Sequence, residues 1–229
     1  MQTRPASPAL ERARLIVVLA TVAINVVAVI AFGFLPGSDW RTGLGLNLFD
    51  NALLIFYSVR WRDRMMPCLM LFGLAVGVVE LAADAWLVDF TRTLDYSLGG
   101  GPMLWRSPIW MPLAWEIVAV QFGYIGLRLW ERWGARGLWL AGALGAINIP
   151  FYEEMALRTH WWQYANCRML LHTPYYIILG EFAIAAALGV LARQVRSEGA
   201  GRSLLAGAIG GASIFVSYAV PYWVVDRLL

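Results

Sequence analysis

The chain has 229 residues, of which 60% are hydrophobic and 14% charged, with a formal net charge of +3. That is too apolar for a soluble domain of this size, and long apolar runs place it among integral membrane proteins. All 18 basic residues are arginine, which excludes a lysine Schiff base. The arginines lie between apolar runs rather than in one patch, so they anchor loops and do not predict a nucleic-acid partner.

Met1 to Arg14 is polar, and residues 15–35 form a first apolar run closed by Pro36-Gly37. This run is too long for a signal-peptide core and reads as an uncleaved helix. A second helix is predicted over 43–59, marked by Asn47, Asp50 and Asn51, and a third over 66–89, with Glu80 and Asp84 in its second half. The connection from Phe90 to Ser107 holds Gly99-Gly100-Gly101-Pro102, which reads as a flexible turn. A fourth helix is predicted over 108–130, with Pro108 and Pro112 in its opening turns. The fifth, sixth and seventh follow over 138–157, 173–192 and 203–225. Residues 1–229 contain no repeat or second domain, so the predicted fold is all-α, a single polytopic bundle of seven transmembrane helices.

Arginine placement orients this bundle. Twelve arginines (Arg4, Arg12, Arg14, Arg60, Arg62, Arg64, Arg128, Arg132, Arg136, Arg193, Arg196, Arg202) fall on one side and six (Arg41, Arg92, Arg106, Arg158, Arg168, Arg227) on the other. The positive-inside rule then predicts a cytoplasmic N-terminus and an external C-terminus in a multi-pass cell-membrane protein of the bacterial inner-membrane type. Trp61, Trp130, Trp133 and Trp139 mark the inner interface, and Trp40, Trp105, Trp110, Trp161 and Trp162 the outer one. Cys68 and Cys167 lie at opposite faces and cannot pair.

In this orientation the acids form a layer. At ~1.5 Å per residue, Asp50, Glu80, Glu116 and Glu181 lie roughly 10–13 Å below the outer boundary. Asn25 and Tyr218 share that level, while Glu153, Glu154 and Asp84 sit higher and the inner half has almost no such residues. A charge at mid-membrane costs at least about 2.5 kcal/mol, so Asp50, Glu80, Glu116 and Glu181 are expected to converge on a polar pocket in the outer half. Simpler roles exist for each: Glu154 and Arg158 are four apart, in the order that favours a helical ion pair, and Asp50 with Asn47 and Asn51 suits interhelical hydrogen bonding. His160 and His172 lie in or beside a loop, where a metal role would require Glu153 or Glu154. Trp161-Trp162 fits an aromatic belt, though such faces also stabilise cations.

Pro150 followed by Glu153-Glu154, then Arg158-Thr159, Tyr164 and Pro174, resembles the polytopic carotenoid-biosynthesis membrane proteins, the bacterioruberin-type hydratases and small lycopene cyclases. The spacing departs from the cyclases, since Phe151-Tyr152 separate proline from acids, and Glu181 stands where the hydratase-like proteins carry tryptophan. The membrane-bound meroterpenoid cyclases are a second analogy. The resemblance implies acid-initiated chemistry on an isoprenoid. Glu153, Glu154, Glu116 and Glu80 are then the candidate catalytic acids. Asp50, Asp84, Glu181, Tyr152, Trp86, Trp115, Trp161, Trp162 and Tyr218 are the candidate substrate contacts. The expected partners are membrane lipid and a lipophilic small molecule, with no cofactor and no metal. Two other classes fit the same residues: a non-catalytic subunit of a larger membrane complex, and a proton-coupled transporter, which the missing inverted repeat and apolar inner half disfavour.

Overall fold

A computed structural model describes residues 7–195 and 199–228; Arg4 and Arg196, two of the orienting arginines, lie outside the described residues. Among the described residues the chain forms seven long α-helices: α1 (Pro8–Phe34), α2 (Trp40–Trp61), α3 (Met65–Ala85), α4 (Met111–Trp133), α5 (Ala135–Arg158), α6 (Tyr175–Leu191) and α7 (Ala200–Tyr222). Four of the helical stretches, Pro8–Phe34, Met65–Thr91, Tyr175–Val195 and Ala200–Leu228, are long and apolar enough to cross a bilayer. The polar residues of α2, α4 and α5 dilute those helices.

The helix starts follow from local chemistry. The Ser7 hydroxyl accepts from the Leu10 amide at 3.2 Å, with Pro8 in the first turn, and the Asp39 carboxylate accepts from the Arg41 amide at 2.7 Å ahead of α2. These caps satisfy amides that the helix itself leaves free. Pro108 does not open α4 as the sequence suggests. It lies in a two-residue strand, and the helix begins at Met111 with Pro112 in its first turn.

The connection 90–107, expected to be flexible, is built. A π-helical turn (Trp86–Thr91) extends α3, after which β1 (Leu94–Asp95) pairs antiparallel with β4 (Gln163–Tyr164) of the α5–α6 connection. Two hairpins complete this end: β2 (Met103–Leu104) with β3 (Ser107–Pro108), and β5 (Met169–Leu170) with β6 (Thr173–Pro174). The Trp161 indole donates to the Asp39 carbonyl at 3.0 Å and the Thr42 hydroxyl at 3.2 Å. The connections α1–α2, α3–α4 and α5–α6 thus share one end of the bundle.

The opposite end is fixed by an ion pair. Arg14, assigned to a polar leader from the sequence, is inside α1 and buried, and its guanidinium makes two hydrogen bonds to Asp63, at 2.7 and 2.8 Å. Tyr57 and the Met65 amide also donate to Asp63, each at 2.9 Å. This network ties α1 to the α2–α3 connection.

Helices approach closely where one presents glycine, as membrane helices commonly do. A Cβ on Gly77 of α3 would run into the Pro112 carbonyl of α4, and one on Gly145 of α5 would come within 2.6 Å of the Glu181 carbonyl of α6. Those two contacts set the spacing of the helices that carry the acids.

Candidate functional site

A cavity of about 320 Å³ lies toward the end of the bundle that carries the strand pairs. Its wall includes Asp84 of α3, Glu153 of α5, Glu181 of α6 and Tyr218 of α7, with Trp115 and Tyr152 from α4 and α5. The connections supply Tyr96, Trp110, Trp161, Trp162 and Tyr164. Among the described residues no arginine or histidine lines it.

Each lining carboxyl is held by a neutral donor. Asp84 Oδ2 accepts from the Tyr96 hydroxyl at 2.6 Å and the Ser107 hydroxyl at 2.7 Å. Glu153 Oε2 accepts from the Trp162 indole at 2.5 Å, and Glu181 Oε1 from the Tyr218 hydroxyl at 2.6 Å. Glu80 lies one turn before Asp84 on the same face of α3, beside Asp84, Glu181 and Trp115. Those neighbours do not close to hydrogen bonds: both Glu80 oxygens are buried without a partner. Burial, with the carboxyls of Asp84 and Glu80 beside it, pushes the Tyr96 phenol well above its ordinary range and keeps it a donor.

Aromatic rings close the cavity toward the connections. Trp110 sits 5.4 Å from Trp161 and 6.2 Å from Trp162, and the Trp161 and Trp162 rings stack at 6.2 Å. Tyr96 meets Trp162 edge-on at 6.3 Å. The electron-rich ring faces of such a cluster tolerate positive charge.

The structure divides the acids that the sequence placed at one depth. Glu181 lines the cavity, whereas Glu80 is buried just behind its wall. Asp50 lies against Asn25 and near Tyr152, with both carboxyl oxygens buried and unpartnered. Glu116 is buried beside Asn51. Neither of these two lines the cavity, although Asn25 and Tyr152 beside Asp50 do. Glu154 faces outward, bonded to Arg158 at 2.8 Å and His172 at 2.5 Å, which is the helical ion pair with one added partner. His160 is exposed, with a φ of 57° in the left-handed residue that ends α5. Among the described residues no group of three or more His, Cys, Asp or Glu is placed to hold a metal. Trp86 lies outside the cavity, packed on Phe90, Phe215 and Tyr222. Tyr152, Trp115, Trp161, Trp162 and Tyr218 all line it.

Sequence reasoning missed Tyr96 and Ser107, because a connection has no helical depth from which to place a side chain. It also missed Gln121, whose amide donates to Thr21 at 3.1 Å, and Asn148, both in the cavity wall. Uncharged amides on apolar helices were the available signal for these two.

Fold and site together define a helical bundle of membrane-spanning character that encloses an acid-lined aromatic cavity. Residues 81–225 match DUF6989, a domain of unknown function, and the chain belongs to that family. The matched stretch contains Asp84, Glu116, Glu153, Glu181 and Tyr218, and excludes α1 and α2. No curated protein and no solved structure matches the chain.

Proposed function

We propose that the protein is an integral membrane enzyme that carries out acid-catalysed cyclisation, hydration or isomerisation of a lipophilic isoprenoid. In this reading it crosses the bilayer seven times, with its N-terminus in the cytoplasm and the cavity in the outer half. One observation carries the proposal: Asp84, Glu153 and Glu181 converge on an aromatic cavity lined by no basic side chain among the described residues. A metal-bound nucleophile or a phosphate site would call for a different donor set.

Hydrogen bonding divides the roles. Asp84 receives two hydroxyl donors and Glu181 one, so both are arranged as acceptors. Glu153 receives the Trp162 indole on Oε2, which leaves Oε1 to carry a proton. A carboxylic acid among other carboxyls and aromatic rings can be neutral and still donate. The Glu153 O–H bond breaks as a C–H bond forms on a substrate alkene carbon, and the adjacent carbon becomes cationic. Trp110, Trp161 and Trp162 stabilise that charge. Asp84 or Glu181 then removes a proton from a neighbouring carbon to restore an alkene. In hydration, water adds to the cation and gives its proton to the same base.

The test is incorporation of solvent deuterium into isoprenoid alkenes by purified protein in D₂O, read by mass spectrometry. Glu153→Gln keeps the Trp162 bond and removes the acid, so incorporation should fall by the ~10²–10⁴ typical of general acid catalysis. A Glu153→Gln protein that folds, inserts and exchanges at the wild-type rate would reject the reaction and favour a non-catalytic subunit.

A further inference from the structure

Proton transfer through Glu153 leaves the site unready for a second molecule. Each turnover makes Glu153 a carboxylate and puts a proton on Asp84 or Glu181, and the next one needs a proton back on Glu153. The three carboxyls come from α5, α3 and α6 and are bonded to other side chains, not to one another. Toward the connections, Trp110 and Trp161 are 2% and 6% exposed and screen that end from water.

Phenols stand between the acids. The Tyr96 hydroxyl donates to Asp84 and the Tyr218 hydroxyl to Glu181, both at 2.6 Å. Tyr164 also lines the cavity. It is held in β4 opposite Leu94 of β1, and the next amide, that of Ala165, donates to the Thr93 carbonyl at 2.9 Å. The Tyr164 hydroxyl stands beside the Glu153 carboxyl. Asp84, Glu181, Tyr96 and Tyr218 are neighbours of the same phenol. Tyr164 is thus common to all three acids. Burial, with Glu153, Tyr176, Asp84 and Glu181 around it, pushes this phenol well above its ordinary range, so it keeps a proton until another replaces it. A hydroxyl can donate and accept at the same time, which is what a relay requires.

We propose that Tyr164 returns the proton from Asp84 or Glu181 to Glu153 between turnovers. The protonated base gives its proton to the Tyr164 oxygen, directly or through the phenol bonded to that base. Tyr164 gives its own proton to the Glu153 carboxylate in the same step. One O–H bond forms for each that breaks, and the phenol ends as it began, neutral. This deepens the proposed function and rests on that reading, because the relay has work only if Glu153 is the acid. Tyr164 acts through the carboxyls and touches no substrate.

The experiment uses the full chain in lipid nanodiscs, in H₂O, with an isoprenoid alkene that the protein turns over, supplied as a mixture of fully deuterated and undeuterated molecules. A relay carries a deuteron from one substrate molecule to the next, and mass spectrometry reads it in product from the undeuterated ones. The carboxyls also exchange with solvent while the cavity is empty, so this crossing should be partial and should rise with substrate concentration. Tyr164→Phe keeps the ring and removes the hydroxyl. Crossing should vanish in it, and kcat should fall by the ~10² at the lower end of what a positioned proton-transfer group contributes. Its first turnover and its kcat/KM should match the wild type, since the proton is returned only after product forms. Crossing that persists in Tyr164→Phe overturns the relay, and so does a first turnover slowed as much as kcat, the mark of a side chain that only packs. Wild-type turnover without crossing at any substrate concentration also overturns it, even if Tyr164→Phe fails to insert. These results leave Glu153 as the acid, whereas a wild type that turns over no isoprenoid rejects the proposed reaction and the relay together.

Discussion

Asp63 and Glu153 are both buried carboxyls, and their partners separate a structural role from a chemical one. Burial alone would raise the pKa of Asp63. The hydrogen bonds and charge of Arg14, backed by the Met65 amide and Tyr57, outweigh it and hold the carboxyl below its ordinary range. Glu153 has an indole and no cation. A carboxyl whose value is depressed on folding contributes stability above its unfolded value, near pH 4, and loses it as pH falls through the folded value. Asp63→Asn leaves Arg14 buried without its counter-ion, which should cost about 3–5 kcal/mol at neutral pH. Thermal unfolding from pH 7 to pH 3 should therefore show the gap between wild type and Asp63→Asn narrowing only below about pH 4. A gap that stays constant to pH 3 would mean that the pair is not ionised. Arg14 also marks a limit of the sequence reading. A positive charge before an apolar run looks like a membrane anchor, and only the fold brings Asp63 within reach of it.

At the scale of elements, apolar runs and their flanking polar residues located seven helices, six within a few residues and α1 with a start seven residues too late. Runs of this length leave little choice of secondary structure in a membrane. The strand pairs were not legible, because two-residue ladders carry no alternation to detect. Their effect is large all the same, since β1 and β4 bring Tyr96 and Tyr164 over the acids. Close helix packing, by contrast, can be traced to single residues. Gly77→Ala should force α4 away from α3 and cost about 1–3 kcal/mol, as overpacking does. Gly45→Ala on α2 meets nothing within 4 Å and should be neutral or gain up to ~1 kcal/mol in helix propensity. Melting temperatures that fall equally in both variants would show that the α3–α4 contact does not limit stability.

For the whole molecule, position along each helix was legible in the sequence and facing was not. Residues per turn and helix ends place Asp50, Glu80, Glu116 and Glu181 at one level, but which way each points depends on rotation about the helix axis. Helices apolar on nearly all sides give no face from which to read that rotation. The cavity consequently draws on Asp84 and Glu153, assigned to a higher level, and leaves Asp50 and Glu116 with the asparagines of α1 and α2. Glu80 and Asp84 are the exception, since four residues of helix place them on one face.

The proposed orientation makes the chemistry of the two ends consistent. The end with the strand pairs holds the cavity and its aromatic closure, and the arginine-rich connections hold the opposite end, where Arg128 bonds Glu11 at 3.2 Å and the Arg193 guanidinium lies 4.7 Å from the Trp130 ring centre. Arginine resists translocation, so that second end should remain in the cytoplasm. Reporter fusions after Arg64, Arg136 and Arg202 should then read cytoplasmic, and fusions after Gly101 and Arg168 external. If α2, α4 and α5, the helices with fewer apolar residues, failed to span, the reporters after Arg64 and Arg136 would not alternate with those after Gly101 and Arg168. A fully reversed pattern would keep seven spans but move the cavity to the cytoplasmic leaflet, so that its substrate would have to come from that side.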